Sequence, residues 1–319
     1  MCSGTDGAPA AGAPAFQERK SIPGFPEFAG LELNHRAEVE AHLGQWPPAT
    51  SELTFTNLFM WADTYHPTVC ILNGALCCLL QPDYRSAFFL PPVGGHDLPG
   101  ICGQLLRWLE ERSEVPTIER APASLVSVLV GPGRPFLADE DPDQADYVYR
   151  SRDLIHLPGN RYHPKRNNIR KFEREHPWEY RPLSEDLLPQ CRDLQEHWCD
   201  LRGCDAGGPA MAGEHLAVMR LLDHYHELGV CGGAVLVEGR VAAFAIGERL
   251  NPDTAVIHVE KGDPNLPGVY QVINREFARE WSHLAFINRE QDLGDPGLRQ
   301  AKQSYYPDHM IAKYVVRSA

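Results

Sequence analysis

The sequence predicts a mixed α/β (α+β) chain of two similar units, each a three-stranded meander followed by a helix, a strand and a helix, giving two mixed sheets flanked by helices. Its length, 319 residues, exceeds what one hydrophobic core ordinarily organises. Its composition, 43% hydrophobic and 23% charged, is that of a globular chain. The order of apolar runs in the first half returns in the second, in element order and not in residue identity.

The opening MCSGTDGAPAAGAPAF has no basic start and no continuous apolar segment, so it reads as a small-residue tail over residues 1–25 and not as a secretory signal. Arg36 to Gly44 suits a helix. Glu52 to Tyr65 suits a buried one, with Leu53, Asn57, Met60 and Trp61 near helical spacing. Short apolar runs at Val69–Leu72, Leu76–Gln81 and Ala87–Leu90 read as strands, the first two joined by an Asn73-Gly74 turn. Ile101, Leu105, Trp108 and Leu109 mark a helix over Leu98–Glu111, before a strand at Thr117–Glu119 and a helix at Leu125–Val130. After a linking strand, a basic segment and a long helix around Leu188–Leu201, the pattern repeats. Its strands are Ala234–Glu238, a Gly239-Arg240 turn, Val241–Arg249 and Ala255–Glu260; a helix Tyr270–Ser282, a strand Ala285–Asn288, a helix Gly297–Ser304 and a last strand Met310–Val316 follow. The expected domains are 26–150 and 151–319. A meander whose last strand feeds a helix and then a further strand is the core order of GNAT-type acyltransferases, so a tandem GNAT-like fold is expected.

The net charge of −13 repels nucleic acid and anionic surfaces unless basic residues are gathered locally. The longest apolar stretch, Thr68–Leu80, is broken by Asn73-Gly74 and falls short of the about 20 residues of a membrane span. The nine cysteines are scattered without a CxxC, so reduced, buried thiols and no metal site are expected. Cys199, Cys204 and His197 lack a second ligand pair, and His224 and His226 diverge on a helix. No GxxxxGK[ST] or HExxH occurs. The cytoplasm is the expected location, with peripheral contact at a membrane left open.

One segment reverses the global charge. Arg161, Lys165, Arg166, Arg170, Lys171 and Arg174 crowd around the single acid Glu173, and from Pro164 a helix would align Arg166, Arg170 and Arg174 on one solvent face. Such a stripe suits a nucleic-acid backbone; a merely solvated face is the alternative. A second constellation gathers at strand ends: His258, Glu260 and Lys261, then Asn288, Arg289, Glu290 and Asp292, then Arg299, Lys302 and Tyr305. Alternation would put His258 and Glu260 on one face and let the set converge on one crevice. Acyl transfer needs a base, a cation for the oxyanion and charges to hold the donor, and the set supplies each; a salt-bridge network is the alternative. After the strand ending at Glu260 the chain reads KGDPNLPGVYQ, without the Q/R-x-x-G-x-G/A loop that cradles the pyrophosphate of coenzyme A.

LPGNRYHPKRNNIRKFE (157–173), HVEKGDPNLPGVYQVINREFA (258–278) and INREQDLGDPGLRQAKQSYYP (287–307) resemble an uncharacterised bacterial family that shares its core with the C-terminal domain of phosphatidylglycerol lysyltransferases, related to the Fem peptidyltransferases. The resemblance spans about Pro26 to Val316. It implies a tandem GNAT-like fold and an aminoacyl-tRNA donor without a bound cofactor. Lys165, Arg166, Asn167, Arg170 and Arg174 would meet RNA or phosphate. Glu260, Asn288, Arg289, Asp292, Arg299 and Lys302 would surround the aminoacyl ester; the candidate catalytic residues are His258, Glu260, Asp292, Arg299 and Lys302, and the candidate substrate-binding residues are Tyr270, Asn274, Asn288, Arg289, Glu290 and Tyr305. The acceptor stays open between a lipid, a peptide and a small amine or hydroxyl, since no membrane span accompanies the domain; DNA is not expected. The rival readings are an acyl-CoA N-acyltransferase and a non-catalytic GNAT-like binding module.

Overall fold

The computed structural model describes residues 21–202 and 209–319. The expected tail lies outside them up to residue 20, and packing begins by Ile22, whose side chain is buried. In the first half lie β1 (Ala29–Gly30), β2 (Thr68–Leu72), β3 (Ala75–Leu80), β4 (Phe88–Phe89), β5 (Val93–Gly94), β6 (Ile118–Pro122) and β7 (Phe136–Glu140). In the second lie β8 (Asp146–Arg150), β9 (Trp178–Pro182), β10 (Cys231–Val237), β11 (Arg240–Arg249), β12 (Thr254–Gly262), β13 (Phe286–Asn288), β14 (His309–Ile311) and β15 (Lys313–Ser318). The helices are α1 (Arg36–Gln45), α2 (Phe55–Met60), α3 (Ala62–Tyr65), α4 (Leu98–Glu110), α5 (Ala123–Leu129), α6 (Ser151–His156), α7 (His163–Glu175), α8 (Leu188–Arg202), α9 (Pro209–Asp223), α10 (Tyr225–Leu228), α11 (Val269–Glu280) and α12 (Pro296–Gln303).

The internal repeat is real. In the first sheet β2, β3 and β4 form an antiparallel meander, and β4 pairs in parallel with β6 after α4. In the second, β10, β11 and β12 do the same, and β12 pairs in parallel with β13 after α11. Both meanders turn through a non-glycine followed by a glycine at positive φ: Asn73 and Gly74 (49°, 78°), then Glu238 and Gly239 (51°, 79°). Two successive positive φ values suit the right-handed twist of the flanking strands, and the second turn therefore falls one residue earlier than expected.

Each sheet also borrows a strand. The first runs β1-β2-β3-β4-β6-β15-β7, and the second β14-β8-β13-β12-β11-β10-β9. Thus β15, the end of the chain, enters the first sheet between β6 and β7, while β8 enters the second between β13 and β14. The boundary at 150/151 divides the sequence but not the sheets. The strand expected over Met310–Val316 is two, broken at Ala312, with its halves in different sheets. The buried helix expected over Glu52–Tyr65 is α2 and α3, separated at Trp61.

The exchange brings together charges that would be intolerable alone. Lys313 of β15 is fully buried, and its Nζ donates to Glu52 Oε1 and to Asp146 Oδ1 of β8, each at 2.6 Å. Ser51 donates to both oxygens of Asp146, from its backbone N–H and its hydroxyl at 2.9 Å each. Asn288 of β13 adds a further bond to Asp146 at 3.0 Å, and Arg120 of β6 lies 3.8 Å from Glu52. Replacing one partner of such a cluster leaves the others charged in a low-dielectric interior. Lys313→Met should therefore lower stability by about 3–5 kcal/mol, read as a shift of the urea midpoint; a loss within the scatter of a surface substitution would contradict this role.

Candidate active site

β12 and β13 pair only over Thr254–Val256 with Phe286–Asn288. Beyond that they diverge, because β12 runs on to Gly262 while the chain after Asn288 turns away through Glu290 and Leu293 in the left-handed region (φ 56° and 54°). The residues picked out by the sequence line this splay, but not on one side.

A β-bulge separates them. Ile246 of β11 faces Val259 whereas Gly247 faces Ile257, so His258 is one residue too many in β12. An extra residue carries everything beyond it to the other face. Ile257 packs with Val272 and Ile273 of α11, while Val259 packs with Phe55 and Leu58 of α2. Gly247 permits this, since a Cβ there would lie 2.3 Å from the Val256 carbonyl oxygen. His258 and Glu260, expected on one face, consequently stand on opposite faces, and consecutive Arg289 and Glu290 follow them apart.

On the α2 side, His258 bonds through Nε2 to Glu248 and through Nδ1 to Glu290, both at 2.9 Å. Burial works against the charged ring, but the two carboxylates outweigh it and push the imidazole up to about 9. It is an imidazolium at neutral pH, unsuited to act as a base. Burial likewise works against Glu248, yet bonds from His258, Thr54 and Thr56 hold it below the usual carboxylate range. Asn57 donates to Glu290 at 3.2 Å. A cavity of about 420 Å³ adjoins Glu248, walled by Leu43, Leu53, Phe55 and Leu250.

On the α11 side, Glu260 accepts from Arg289 at 2.9 Å and from Asn274 at 3.0 Å. Arg289 lies 5.1 Å from the centre of the Tyr305 ring, and Lys165 of α7 lies 4.2 Å from it. Lys165 also donates to Ser304 at 2.6 Å, and burial together with Arg289 lowers its pKa. Glu260, Asn274, Arg289 and Tyr305 lie together here, and Lys165, expected on the RNA-facing stripe, lies with them.

The remaining residues serve elsewhere. Asp292 is clamped by two bonds from Arg299 at 2.8 Å, by Tyr147 at 2.6 Å and by the Gly294 N–H at 2.9 Å. Burial opposes its charge, but these donors bring the carboxyl down to about 2. Arg299 also reaches Asp143. The Lys302 ammonium donates to the carbonyls of Arg289 and Gln291, which fixes the turn beyond β13; burial and Arg289 push it down to about 8. Asn288 belongs to the Asp146 junction. Tyr270 accepts from Trp198 at 3.0 Å, and Trp198 also carries Lys261 3.6 Å from its ring centre. Glu248 was missed from sequence, as was Tyr149, whose ring centre lies 5.7 Å from the Arg289 guanidinium and whose hydroxyl donates to the Lys302 carbonyl at 2.8 Å. The signals were a carboxylate ending an apolar strand just after Gly247, and a tyrosine in the linking strand.

The basic segment is helix α7, with Ile169 and Phe172 buried as expected. Its stripe is shorter than expected. Arg166 turns back to the carbonyls of Leu157 and Gly159 beyond α6, and Asn167 pairs with His163. Arg170, Lys171 and Arg174 remain exposed. The helix also packs against the start of α11: a Cβ on Gly268 (φ 100°) would lie 2.7 Å from the Asn168 carbonyl oxygen. Among the described residues no group of three or more His, Cys, Asp or Glu could hold a metal ion, and no helix is long and apolar enough to cross a membrane. Cys204 of the weighed metal set lies outside the described residues.

Two GNAT-type sheets with exchanged last strands, each with a parallel pair after its meander, define a tandem GNAT-like protein of the acyltransferase class. Residues 45–317 match the family described as "Phosphatidylglycerol lysyltransferase, C-terminal", and the chain belongs to that family. A conserved protein of unknown function from Bacteroides thetaiotaomicron VPI-5482 superposes with a TM-score of 0.82 at 31% identity, over 92% of this chain and 99% of that one. L-PGS from Bacillus licheniformis gives 0.60 at 15% identity, over 94% of both chains. FemX gives 0.55 at 10%, over 91% and 96%. An uncharacterised protein of Mycoplasmoides gallisepticum (strain R(low / passage 15 / clone 2)) is 22% identical over 176 residues, 54% of this chain and 56% of that protein, so the match spans about half of that relative's length.

The His258 bridge gives a pH dependence of fixed sign. Between about 6.5, the ring's value in an unfolded chain, and about 9, the folded state holds a proton that the unfolded state lacks. The contribution is complete below pH 6.5 and is lost as pH rises toward 9. Lys302 opposes it above about pH 8, where the unfolded chain holds the extra proton. Over pH 6.5–8, His258→Gln should therefore flatten the fall in stability seen in denaturant titrations of the parent chain; an unchanged slope would remove His258 as its source.

Proposed function

We propose that this chain is an aminoacyltransferase that takes its acyl group from aminoacyl-tRNA and passes it to a lipid, peptide or small amine or hydroxyl acceptor. The observation that carries the reading is the packing of α7 on the start of α11. A coenzyme-A-dependent GNAT enzyme needs open backbone N–H groups there for the pyrophosphate, and here the Asn168 carbonyl and Phe172 crowd Gly268. The same helix offers Arg170, Lys171 and Arg174 to solvent, which suits an RNA backbone within a chain of net charge −13. The family name, a lysyltransferase acting on phosphatidylglycerol, supports aminoacyl transfer.

In this reading the ester carbonyl lies at the splay beside Arg289, on the Glu260 side, where the acceptor meets it. The acceptor's N–H or O–H attacks the carbonyl carbon, a C–N or C–O bond forms, and the C–O bond to ribose breaks. The acceptor's proton ends on the departing ribose oxygen, with Glu260 as the carboxylate to relay it. Arg289 steadies the oxyanion. His258 is a positioning residue, holding Glu290 and with it the turn that carries Arg289. Asp292, Arg299 and Lys302 hold that turn in shape. A cytoplasmic location, where charged tRNA is made, belongs to the same reading.

Filter binding of mixed aminoacyl-tRNA across a salt series tests the donor. The parent chain should bind with a steep salt dependence, and Arg170→Ala/Arg174→Ala should reduce the log–log slope by about 2. Stabilisation by acetyl-CoA with no tRNA binding would overturn the reading in favour of an acyl-CoA enzyme. With hydroxylamine as a general nucleophile, Glu260→Gln should slow enzyme-dependent hydroxamate formation by about 100-fold while tRNA binding persists; a rate equal to the parent's would exclude Glu260 as the relay.

A further inference from the structure

The Glu260 cluster contains two polar groups without protein partners. Asn274 is 1% exposed, and its amide nitrogen must face Glu260, because only the nitrogen can donate to a carboxylate. That leaves its Oδ1 buried with no donor, and the Nη1 of Arg289 buried with no acceptor. Buried polar groups are nearly always satisfied, and each exception calls for an explanation. Here both orphans, one acceptor and one donor, belong to the two residues that hold Glu260.

A ligand that satisfies both must present an N–H donor beside a carboxylate and an oxygen acceptor beside a guanidinium. An α-aminoacyl ester has that pair of groups, its α-nitrogen three bonds from its carbonyl oxygen. Its α-ammonium would donate to Asn274 Oδ1 with Glu260 as counter-charge, and its carbonyl oxygen would accept from Arg289 Nη1.

The charges around this position restrict the acyl group further. Glu260 is the one carboxylate bonded within the cluster, against Arg289 and Lys165, with the Lys302 ammonium just behind at the Arg289 carbonyl. The nearby acids are committed: Glu290 and Glu248 to His258 on the opposite face, Asp292 to Arg299, Asp146 to Lys313, and Glu173 to Arg275 at 2.7 Å. The α-ammonium uses the charge of Glu260, so a second ammonium on the side chain would meet a surplus of cations. The Tyr305 ring is no refuge, because Lys165 and Arg289 already lie against it. We propose that this cluster is the aminoacyl-binding site and that it selects amino acids whose side chains are uncharged or acidic, rejecting lysyl and arginyl groups. The proposal rests on the transferase reading above.

Two binding series separate its failure from the failure of that reading. In the first, single tRNA species charged with alanine, serine, aspartate, lysine or arginine are compared with the same tRNA uncharged. Alanyl, seryl and aspartyl forms should bind about tenfold more tightly than their uncharged forms, and lysyl and arginyl forms should gain nothing. An equal or larger gain for lysyl-tRNA overturns the selection. Charged and uncharged forms binding alike overturns the site while leaving tRNA as partner. In the second series, titration calorimetry with alaninamide and lysinamide probes the cluster without RNA: alaninamide should bind and lysinamide should not. If no tRNA binds but alaninamide does, the transferase reading fails and the cluster stands as an amino-acid site; binding of neither removes both. Lys165→Glu, at the half-buried edge of the cluster, should shift the alaninamide-to-lysinamide preference by about tenfold toward lysinamide. No shift would show that charge does not set the selection.

Discussion

The buried contact of Lys313 with Asp146 and Glu52 is the constraint on which the rest depends. β8 and β15 are the strands the two sheets exchange, and the contact joins one to the other at the point of crossing. Neither charge could be buried alone, because desolvation would exceed what its own sheet returns. Together they make the exchange the arrangement in which both are satisfied. From Asp146 the bonding passes to Asn288, whose side-chain oxygen accepts from the Glu290 N–H at 2.7 Å. The junction thereby sets the turn after β13, and that turn sets Arg289 and Glu290 on opposite faces of the splay.

The repeat was legible because its punctuation is local. Asn73-Gly74 and the glycine at 239 mark turns, and apolar runs of strand length surround them. The exchange was not legible, since which sheet receives a strand is decided by tertiary packing and not by the alternation within it. Its trace was present as Lys313, a lysine at the end of one apolar run, and Asp146 beside another. Reading Met310–Val316 as one strand ignored that a lysine facing the core needs a carboxylate from a different element.

The candidate cluster was legible only in part. Glu260, Asn274, Arg289 and Tyr305 do meet, from segments far apart in sequence, but Lys165, read as part of the RNA-facing stripe, meets them too, and His258, Asp292, Arg299 and Lys302 do not. The assumption that failed was strict alternation along β12. A single glycine inside β11, at 247, was the available sign of a bulge, and it reverses the facing of every residue after His258. The basic stripe failed in a related way: helical spacing aligned Arg166 with Arg170 and Arg174, but the open carbonyls beyond α6 drew Arg166 back to them.

Hydrogen-bond saturation distinguishes Asp292, Arg299, Lys302 and His258 from the residues around Glu260. Asp292 receives four bonds, Arg299 divides itself between two carboxylates, the Lys302 ammonium faces two carbonyls, and His258 uses both ring nitrogens. Each is bound within the fold and has little left to offer a substrate. Arg289 and Asn274 are held as firmly by Glu260, yet each retains a buried atom with no partner. Leaving a donor and an acceptor unsatisfied beside the same carboxylate costs about 1–3 kcal/mol for each. Orphaned atoms of opposite polarity, beside one carboxylate at the splay of a parallel pair, are the observation on which the proposed aminoacyl site rests.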